Sequence, residues 1–343
     1  MTRGQFNLGR DLPMTTDSAS VLHYEKLGRV GEGTYGVVYC ARDRRTGEVV
    51  ALKRVRTERE RDGVPLTSLR ELRLLRDSRH PHIVRLHGVV TGGTPEAVFL
   101  VLERWGTDLA SILDTATAAG SPFPFSPADV KTLSLQLFQA LAFLHARCVL
   151  HRDVKLSNLL YCKGVLKLAD FGMARNTSPL GGALTPRIVT LWYRAPELLL
   201  GAVDYTDAVD AWAAGCVMAE LLRHRPVFPG REEGEMWSLL VALLGSPNQR
   251  IWPNWTQLPQ ARSLSMSCAP QEFNHLRREF SGVAPAGLEL LNSLLCYDPS
   301  RRLGMEAAAH AEWFREKPLP HSPEAMPIFP DAFEGGRKRA RTD

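Results

Sequence analysis

The sequence has 343 residues, and single hydrophobic cores stop growing at roughly 250–300 residues. We therefore expect two lobes. Apolar residues make up 44% and charged residues 23% of the chain, which is ordinary for a globular protein. The net charge of +5 suits acidic or phosphorylated ligands, but a charge this small is more often a property of a solvated surface. Direct nucleic-acid binding is therefore not expected.

The six cysteines include no C-x-x-C pair, so neither a zinc site nor a disulfide framework is indicated. The first residues lack the apolar stretch of a signal peptide, and no run approaches the roughly 18 apolar residues of a membrane span. We therefore expect a soluble protein in a reducing, intracellular compartment, with no membrane partner.

The first part of the chain has the pattern of a small β-rich lobe. Residues 1–23 are polar and are expected to form a flexible lead-in. In residues 24–103 the runs VVYCARD, EVVALKRV and AVFLVLE are rich in Val, Tyr and Phe, which predicts antiparallel strands. The run LTSLRELRLLRD has leucines at helical spacing, which predicts one helix between the strands.

The second part of the chain has the pattern of helices. In residues 104–315, helical periodicity occurs at 130–148, 209–224 and 287–298, and proline-rich loops separate these segments. Residues 316–343 are proline-rich and then basic, and are expected to be irregular. The predicted fold class is α+β, with a small antiparallel lobe that carries one helix and a larger, mainly helical lobe.

A G-x-G-x-x-G motif is formed by Gly31, Gly33 and Gly36. Glycines allow backbone N–H groups to approach phosphates, because no Cβ stands in the way. Dinucleotide-binding folds also use this motif, but there it leads into a helix. Here it leads into VVYCARD, which favours a strand and hence a hairpin over phosphates.

Lys53 lies on the next predicted strand, in VALK. By itself such a lysine is equally consistent with an exposed surface residue. After the glycine motif we interpret it as a cation that reaches the α- and β-phosphates of ATP. Glu71 is the candidate anion that holds it. The alternative, a capping box made by Ser68 and Glu71, is disfavoured because Leu66 already fits the helix.

The strongest motif is HRDVKLSN at residues 151–158, followed by DFG at 170–172 and APE at 195–197. Phosphoryl transfer needs a carboxylate that orients the attacking hydroxyl, oxygen ligands for Mg²⁺, and cations that offset developing charge. Asp153 suits the first task and Lys155 the last. Asn158 and Asp170 suit the metal. ATP and Mg²⁺ are therefore the predicted cofactors.

This ordered set resembles a eukaryotic protein kinase from about Tyr24 to Phe314. The resemblance implies the bilobal kinase fold, in which Asp210 anchors the catalytic loop and Glu197 pairs with Arg302. The residues that it places around the nucleotide are Val30, Gly31, Glu32, Gly33, Gly36, Val38, Ala51, Lys53, Glu103, Trp105 and Leu160.

The loop HRDVKLSN and the predicted helix that begins near PLTSLRE resemble those of serine/threonine kinases and of cyclin-dependent kinases. Lys155, two residues after Asp153, is typical of serine/threonine kinases, and Thr190 matches the threonine that braces both. The run PLTSLRE at residues 65–71 and the run TPRIVTLWYRAPE at 185–197 resemble cyclin-dependent kinases, closest to the PITSLRE-type branch. The resemblance implies a cyclin partner that docks on the helix of Glu71, and a role in cell-cycle or transcription control.

The same resemblance implies regulatory residues. Arg70, Arg152 and Arg175 match three arginines that converge on a phosphorylated threonine, here Thr185. Thr34 and Tyr35 match inhibitory phosphosites, but ordinary loop residues remain an alternative.

Substrates and location are expectations of the same kind. Val189 and Arg194 match residues that favour proline after the phosphoacceptor, so Ser/Thr-Pro protein substrates are expected. The basic residues 337–341 indicate import into the nucleus, with a solubilising terminus as the alternative and the cytoplasm as a further location. Two other functions stay open: a cyclin-independent, proline-directed kinase and a non-catalytic scaffold.

Overall fold

The computed structural model describes residues 20–33, 36–55, 66–93, 97–121, 123–176, 191–266 and 268–330. Within them the chain divides into two compact units. The first comprises the residues up to Leu69 together with Leu86–Arg104, and the second comprises Arg70–Arg85 and the residues from Trp105 onward. None of the described helices is long and apolar enough to span a membrane.

The first unit is an antiparallel sheet. Its strands are β1 (Tyr24–Gly33), β2 (Gly36–Asp43), β3 (Val49–Arg54), β4 (Leu86–Thr91) and β5 (Val98–Glu103). They lie in the order β1-β2-β3-β5-β4. Because side chains alternate along a strand, Val50 and Leu52 of β3 share one face, where they join a buried apolar core with Ala41, Val90 and Val101.

Helix α1 (Leu66–Asp77) has the bounds that the sequence predicts. Ser68 lies inside the helix rather than at its N-cap, so the capping-box alternative for Glu71 is excluded. Glu71, Leu74 and Leu75 are buried, whereas Arg70, Arg73 and Arg76 are exposed. The arginines therefore form an exposed face of α1, which we call the arginine face.

The second unit is mainly helical. Its further helices are α2 (Leu109–Ala118), α3 (Pro127–His145), α4 (Pro196–Leu199), α5 (Ala208–Arg223), α6 (Glu233–Leu244), α7 (Ala261–Ser265), α8 (Leu276–Glu279), α9 (Pro285–Leu294) and α10 (Met305–Ala309). Helices α3 and α5 pack together at its centre, where Leu137, Leu141 and Trp212 are almost fully buried. The α+β fold class with a small β lobe and a larger helical lobe is confirmed.

Short strands in the second unit carry the chemistry-bearing loops. They are β6 (Thr107–Asp108), β7 (Val149–Leu150), β8 (Leu159–Cys162), β9 (Val165–Leu168) and β10 (Arg175–Asn176). Strands β6, β8 and β9 form one antiparallel sheet, and β7 pairs with β10. A Cβ at Gly106 would overlap the backbone carbonyl of Tyr161, so only glycine lets β6 approach β8 this closely.

Residues 315–330, which we call the C-terminal strap, run along α3 and the β8–β9 hairpin. Lys131 Nζ donates to the carbonyl of Glu316 at 2.8 Å, and Thr132 Oγ1 donates to the carbonyl of His321 at 2.8 Å. His321 Nδ1 lies 2.8 Å from Asp129 Oδ1. The strap is irregular except for one 3₁₀ turn at Pro323–Ala325, as expected, but it is fixed by hydrogen bonds to α3.

Candidate active site

The glycine motif lies on the β1–β2 hairpin. Gly33 pairs with Gly36, and Gly31 pairs with Val38. The motif is followed by strand β2 and not by a helix, which excludes the dinucleotide-binding alternative. The side chain of Glu32 lies outside the described part of the chain.

Lys53 and two predicted nucleotide contacts share one face of the first unit's sheet. Val38 is directly opposite Lys53 in the β2–β3 ladder, so their side chains point the same way. Ala51 precedes Lys53 by two residues and shares that face. The Lys53 residue is only 7% exposed. Val30 is largely exposed, and Glu103 ends β5 opposite Val50.

The other predicted nucleotide contacts lie in the second unit. Leu160 is on β8, and Trp105 precedes β6. Glu71, which is predicted as an anion of the catalytic site and not as a nucleotide contact, is buried on α1. The indole of Trp105 donates through Nε1 to the carbonyl of Val165 at 3.2 Å, and the ammonium of Lys167 lies 4.4 Å from the ring centroid. The side chain of Trp105 is therefore held against β9, which leaves its backbone groups as the part suited to hydrogen bonding.

The catalytic loop gathers Asp153, Lys155 and Asn158. Lys155 Nζ lies 2.8 Å from Asp153 Oδ2, and Asn158 Nδ2 donates to the same oxygen at 2.9 Å. Asn158 Nδ2 also donates to the backbone carbonyl of Asp153 at 2.8 Å. Two donors therefore fix the orientation of a carboxylate whose residue is only 5% exposed.

His151 joins this loop to the segment before Asp170. Its Nε2 lies 3.1 Å from the carbonyl of Ala169, and its Nδ1 accepts from the backbone N–H of Asp153 at 3.3 Å. This pattern fits a neutral ring with the proton on Nε2. Burial lowers the pKa of His151, so the neutral form is maintained at physiological pH.

Asp210 on α5 accepts hydrogen bonds from the backbone of the catalytic loop. Its two carboxylate oxygens accept from the backbone N–H groups of His151 and Arg152, each at 2.8 Å. Burial alone raises the pKa of a carboxyl group, but His145 and these N–H donors outweigh it and hold the pKa of Asp210 below its usual value. The predicted anchoring by Asp210 is confirmed.

His145, at the end of α3, is a residue that the sequence analysis missed. Its Nε2 lies 3.1 Å from Asp210 Oδ2, and its Nδ1 lies 3.6 Å from Asp207 Oδ2. A helix-terminal histidine has no motif of its own, so only the fold reveals this contact.

Asp170 and Asn158 have the chemistry of magnesium ligands. Asp170 adopts the left-handed conformation (φ 61°) and caps the turn Phe171–Met173, where its Oδ1 accepts from the Gly172 N–H at 3.3 Å. Since the amide nitrogen of Asn158 makes the contacts with Asp153, its amide oxygen faces another direction. Both residues thus offer oxygen donors, as Mg²⁺ requires. The described residues contain no group of three or more His, Cys, Asp or Glu that could hold a metal by themselves, and Mg²⁺ sites completed by substrate phosphates need none.

The predicted phosphate-binding arginines are partly engaged with the protein. Arg152 donates to the carbonyl of Met173 at 2.8 Å and to the hydroxyl of Tyr205 at 2.9 Å. Arg175 pairs with Leu150 in the β7–β10 ladder, and Leu150 lies two residues before Arg152 in the chain. Arg70 is exposed on the arginine face. The predicted residues outside the described part of the chain are Thr34, Tyr35, Thr185, Val189, Thr190 and the basic residues 337–341.

A buried ion pair fixes the APE segment. Arg302 donates to both carboxylate oxygens of Glu197, at 2.7 and 2.8 Å. Arg302 also donates to the carbonyls of Ala208, Cys296 and Tyr297. The predicted pairing of Glu197 with Arg302 is confirmed.

Comparisons of the sequence with known proteins place the chain in a family. The family model for the protein kinase domain matches residues 24–314. Cyclin-dependent kinase 10 of Mus musculus is 48% identical over 332 residues, which cover 94% of this chain and 90% of the relative. Cyclin-dependent kinase 10 of Homo sapiens is 48% identical, covering 91% of this chain and 85% of the relative. Cyclin-dependent kinase 11B of Homo sapiens is 42% identical, covering 98% of this chain and 42% of the relative.

Proposed function

As a member of the protein kinase family and of its cyclin-dependent branch, this chain is a serine/threonine protein kinase, and we propose that a cyclin activates it. The observation that carries its catalytic role is the fixed carboxylate of Asp153, which Lys155 and Asn158 hold from two sides at 2.8 and 2.9 Å. We further propose the order of events below for this chain's residues.

Asp153 orients the substrate hydroxyl and accepts its proton as the hydroxyl oxygen bonds to the γ-phosphorus of ATP, while the bond from that phosphorus to the departing ADP oxygen breaks. Lys155 lies next to that carboxylate, where a cation offsets the negative charge that develops on the transferred group. Asn158 and Asp170 hold Mg²⁺ through their oxygens. Bound Mg–ATP supplies the phosphoryl group and the electrostatic clamp around it.

The first unit binds the rest of the nucleotide. The hairpin of Gly31, Gly33 and Gly36 offers backbone N–H groups to the phosphates, and Lys53 supplies a cation to the α- and β-phosphates. Val38 and Ala51 share the face of Lys53 and provide apolar contact for the adenine. In the second unit, Leu160 is the residue that we assign to the adenine.

The decisive test compares two carboxylates of the full chain, purified with its cyclin. Asp153→Asn removes the proton acceptor and is expected to lower kcat by about 10²- to 10⁴-fold. Asp204→Asn, at an exposed carboxylate of the same unit, is the matched control and should keep wild-type turnover. A scaffold function requires that Asp153→Asn change nothing, because no turnover would exist to lose.

Cyclin dependence is tested by the arginine face of α1. We propose that the cyclin docks here, since α1 carries Glu71 and leaves Arg70, Arg73 and Arg76 exposed. Arg73→Glu with Arg76→Glu should reduce cyclin capture and activity together. If the kinase were cyclin-independent, the purified chain would be fully active without a cyclin, and the two substitutions would leave its activity unchanged.

Thr185 is the proposed activating phosphosite. A phosphate carries about −1.5 to −2 charges, and Arg70, Arg152 and Arg175 are the proposed partners. Thr185→Ala should therefore lower the activity of the cyclin complex, and full activity of this variant would discard the switch. Phosphorylation of Thr34 and Tyr35 is proposed to inhibit.

Substrate choice is proposed to favour proline after the phosphoacceptor, through Val189 and Arg194. Arg194 is held by Glu233, with Nη1 and Oε1 2.8 Å apart. Peptides that differ only as Ser-Pro and Ser-Ala measure the preference as a ratio of kcat/KM. Equal kcat/KM values for the two peptides would contradict the proposed preference for proline and would leave the kinase assignment unchanged.

A further inference from the structure

The C-terminal strap ends in an aromatic cluster under the β6–β8–β9 sheet. The ring centroid of Phe329 lies 5.4 Å from that of Phe125 and 5.7 Å from that of Tyr161, both in edge-on geometry. Phe125 and Tyr161 are themselves 5.7 Å apart and each only 2% exposed. We call Phe125, Tyr161 and Phe329 the aromatic triad.

The strap also holds the sheet by polar contacts. The hydroxyl of Tyr161 donates to the carbonyl of Pro327 at 2.5 Å, and burial raises the pKa of this hydroxyl to about 12, so it remains a donor at physiological pH. Thr107 Oγ1 on β6 donates to the carbonyl of Pro330 at 3.5 Å. The backbone of Pro323 lies so close to Gly164, in the β8–β9 turn, that a Cβ at Gly164 would overlap it.

Tyr161 and Leu160 are neighbours on β8, so their side chains point to opposite faces of the small sheet. The strap contacts the Tyr161 face. The Leu160 face is the one that the proposed function assigns to the adenine. A displacement of Tyr161 therefore moves the backbone that carries Leu160.

We propose that Phe329 is a positioning residue, which acts through Tyr161 to hold the side chain of Leu160 in the position that nucleotide binding requires. The strap is then part of the nucleotide site, although it lies beyond residue 314, where the match to the kinase family ends. This proposal rests on the proposed function, because it takes Leu160 as a nucleotide contact.

The test uses the full chain with its cyclin and varies two adjacent strap residues. Phe329→Ala should raise the KM for ATP, and the Kd of a fluorescent ATP analogue, by roughly three- to tenfold, as expected for the loss of aromatic pairs. The kcat at saturating ATP and the KM for the peptide should stay at wild-type values. Phe329→Tyr keeps the ring and should restore both nucleotide constants. Ile328→Ala, at a residue that is 75% exposed, is the matched control and should change nothing.

Other outcomes overturn the proposal. Unchanged nucleotide constants in Phe329→Ala would show that the strap does not reach the site. A fall in Tm and kcat with no separate rise in the KM for ATP would show a purely structural role. If the wild-type complex failed to bind the ATP analogue, the proposed function itself would fail. If the wild-type complex and Phe329→Ala bound the analogue equally well, only the proposal for Phe329 would fail.

Discussion

Glu220 on α5 is a buried carboxyl group that accepts a hydrogen bond from Tyr193, two residues before the APE motif. The hydroxyl of Tyr193 donates to Glu220 Oε2 at 2.6 Å. Burial raises the pKa of Glu220 to about 7 and outweighs the opposing hydrogen bond from Tyr193, while the negative charge of Asp114 adds a smaller upward contribution. In the folded protein this group therefore holds its proton at a pH where the unfolded chain has lost it.

The raised pKa of Glu220 predicts a pH-dependent stability. Its contribution is fully present below about pH 4.5, and it is lost as pH rises through about 7. Glu220→Gln cannot ionise, so its Tm relative to wild type should rise between pH 5.5 and pH 8. Melting curves at both values measure this. A difference in Tm between Glu220→Gln and wild type that is the same at pH 5.5 and at pH 8 would contradict the prediction.

Arg302 makes a second buried contact whose loss should be costly. Its side chain is fully buried and that of Glu197 almost so, so Arg302→Ala leaves an unpaired buried carboxylate as well as three carbonyls without their donor. We expect a loss of about 3–5 kcal/mol in the free energy of unfolding. Urea titration with tryptophan fluorescence measures it, because all seven tryptophans lie in the second unit.

The control for Arg302 is an exposed pair in the same unit. Arg278 and Glu279 approach to 3.4 Å, but the arginine side chain is 72% exposed. Arg278→Ala should therefore cost less than about 1 kcal/mol. Equal losses at the two sites would show that burial does not set the energy of the Arg302 pair.

At the scale of elements, α3 begins with a complete capping box. Ser126 Oγ accepts from the Asp129 N–H at 3.3 Å, and Asp129 Oδ2 accepts from the Ser126 N–H at 2.8 Å. Ser126→Ala should cost about 1 kcal/mol in unfolding free energy, and Ser126→Thr, which keeps the oxygen, should cost a few tenths. Chemical denaturation compares them, and equal losses would remove the cap as the cause.

Local pattern was enough to predict some elements. The run that became α1 alternates buried and exposed residues at helical spacing, so its bounds followed from the sequence. The glycine hairpin followed from the strand residues after Gly36. In both cases the information lies within one segment of the chain.

Other features depend on contacts between distant segments, which local pattern does not encode. Lys131 in VKTLSL has the pattern of an exposed helical lysine, yet it is 2% exposed because Glu316 supplies a carbonyl. The strap has no periodicity at all, and its packing follows from Lys131, Thr132 and Tyr161. His145 became a site residue only because α3 and α5 meet.

At the scale of the molecule, residues 331–343 form a segment whose proposed role is separate from catalysis. Removal of residues 331–343 should abolish nuclear accumulation. Replacement of Arg337, Lys338 and Arg339 by Gln should have the same effect on localisation. Fluorescence microscopy of tagged chains measures it, and nuclear retention of both variants would favour the solubilising role.

The carboxylate of Asp210 gives the catalytic loop a dynamic property that its irregular backbone does not suggest. Its acceptors for the His151 and Arg152 amides belong to a helix in the centre of the second unit. Amide protons in exposed loops exchange quickly with solvent, whereas those bonded to a core exchange only when the core opens. We therefore expect these two amide protons to exchange with deuterium as slowly as those of α5, so that the loop becomes mobile only when the helix beneath it unfolds.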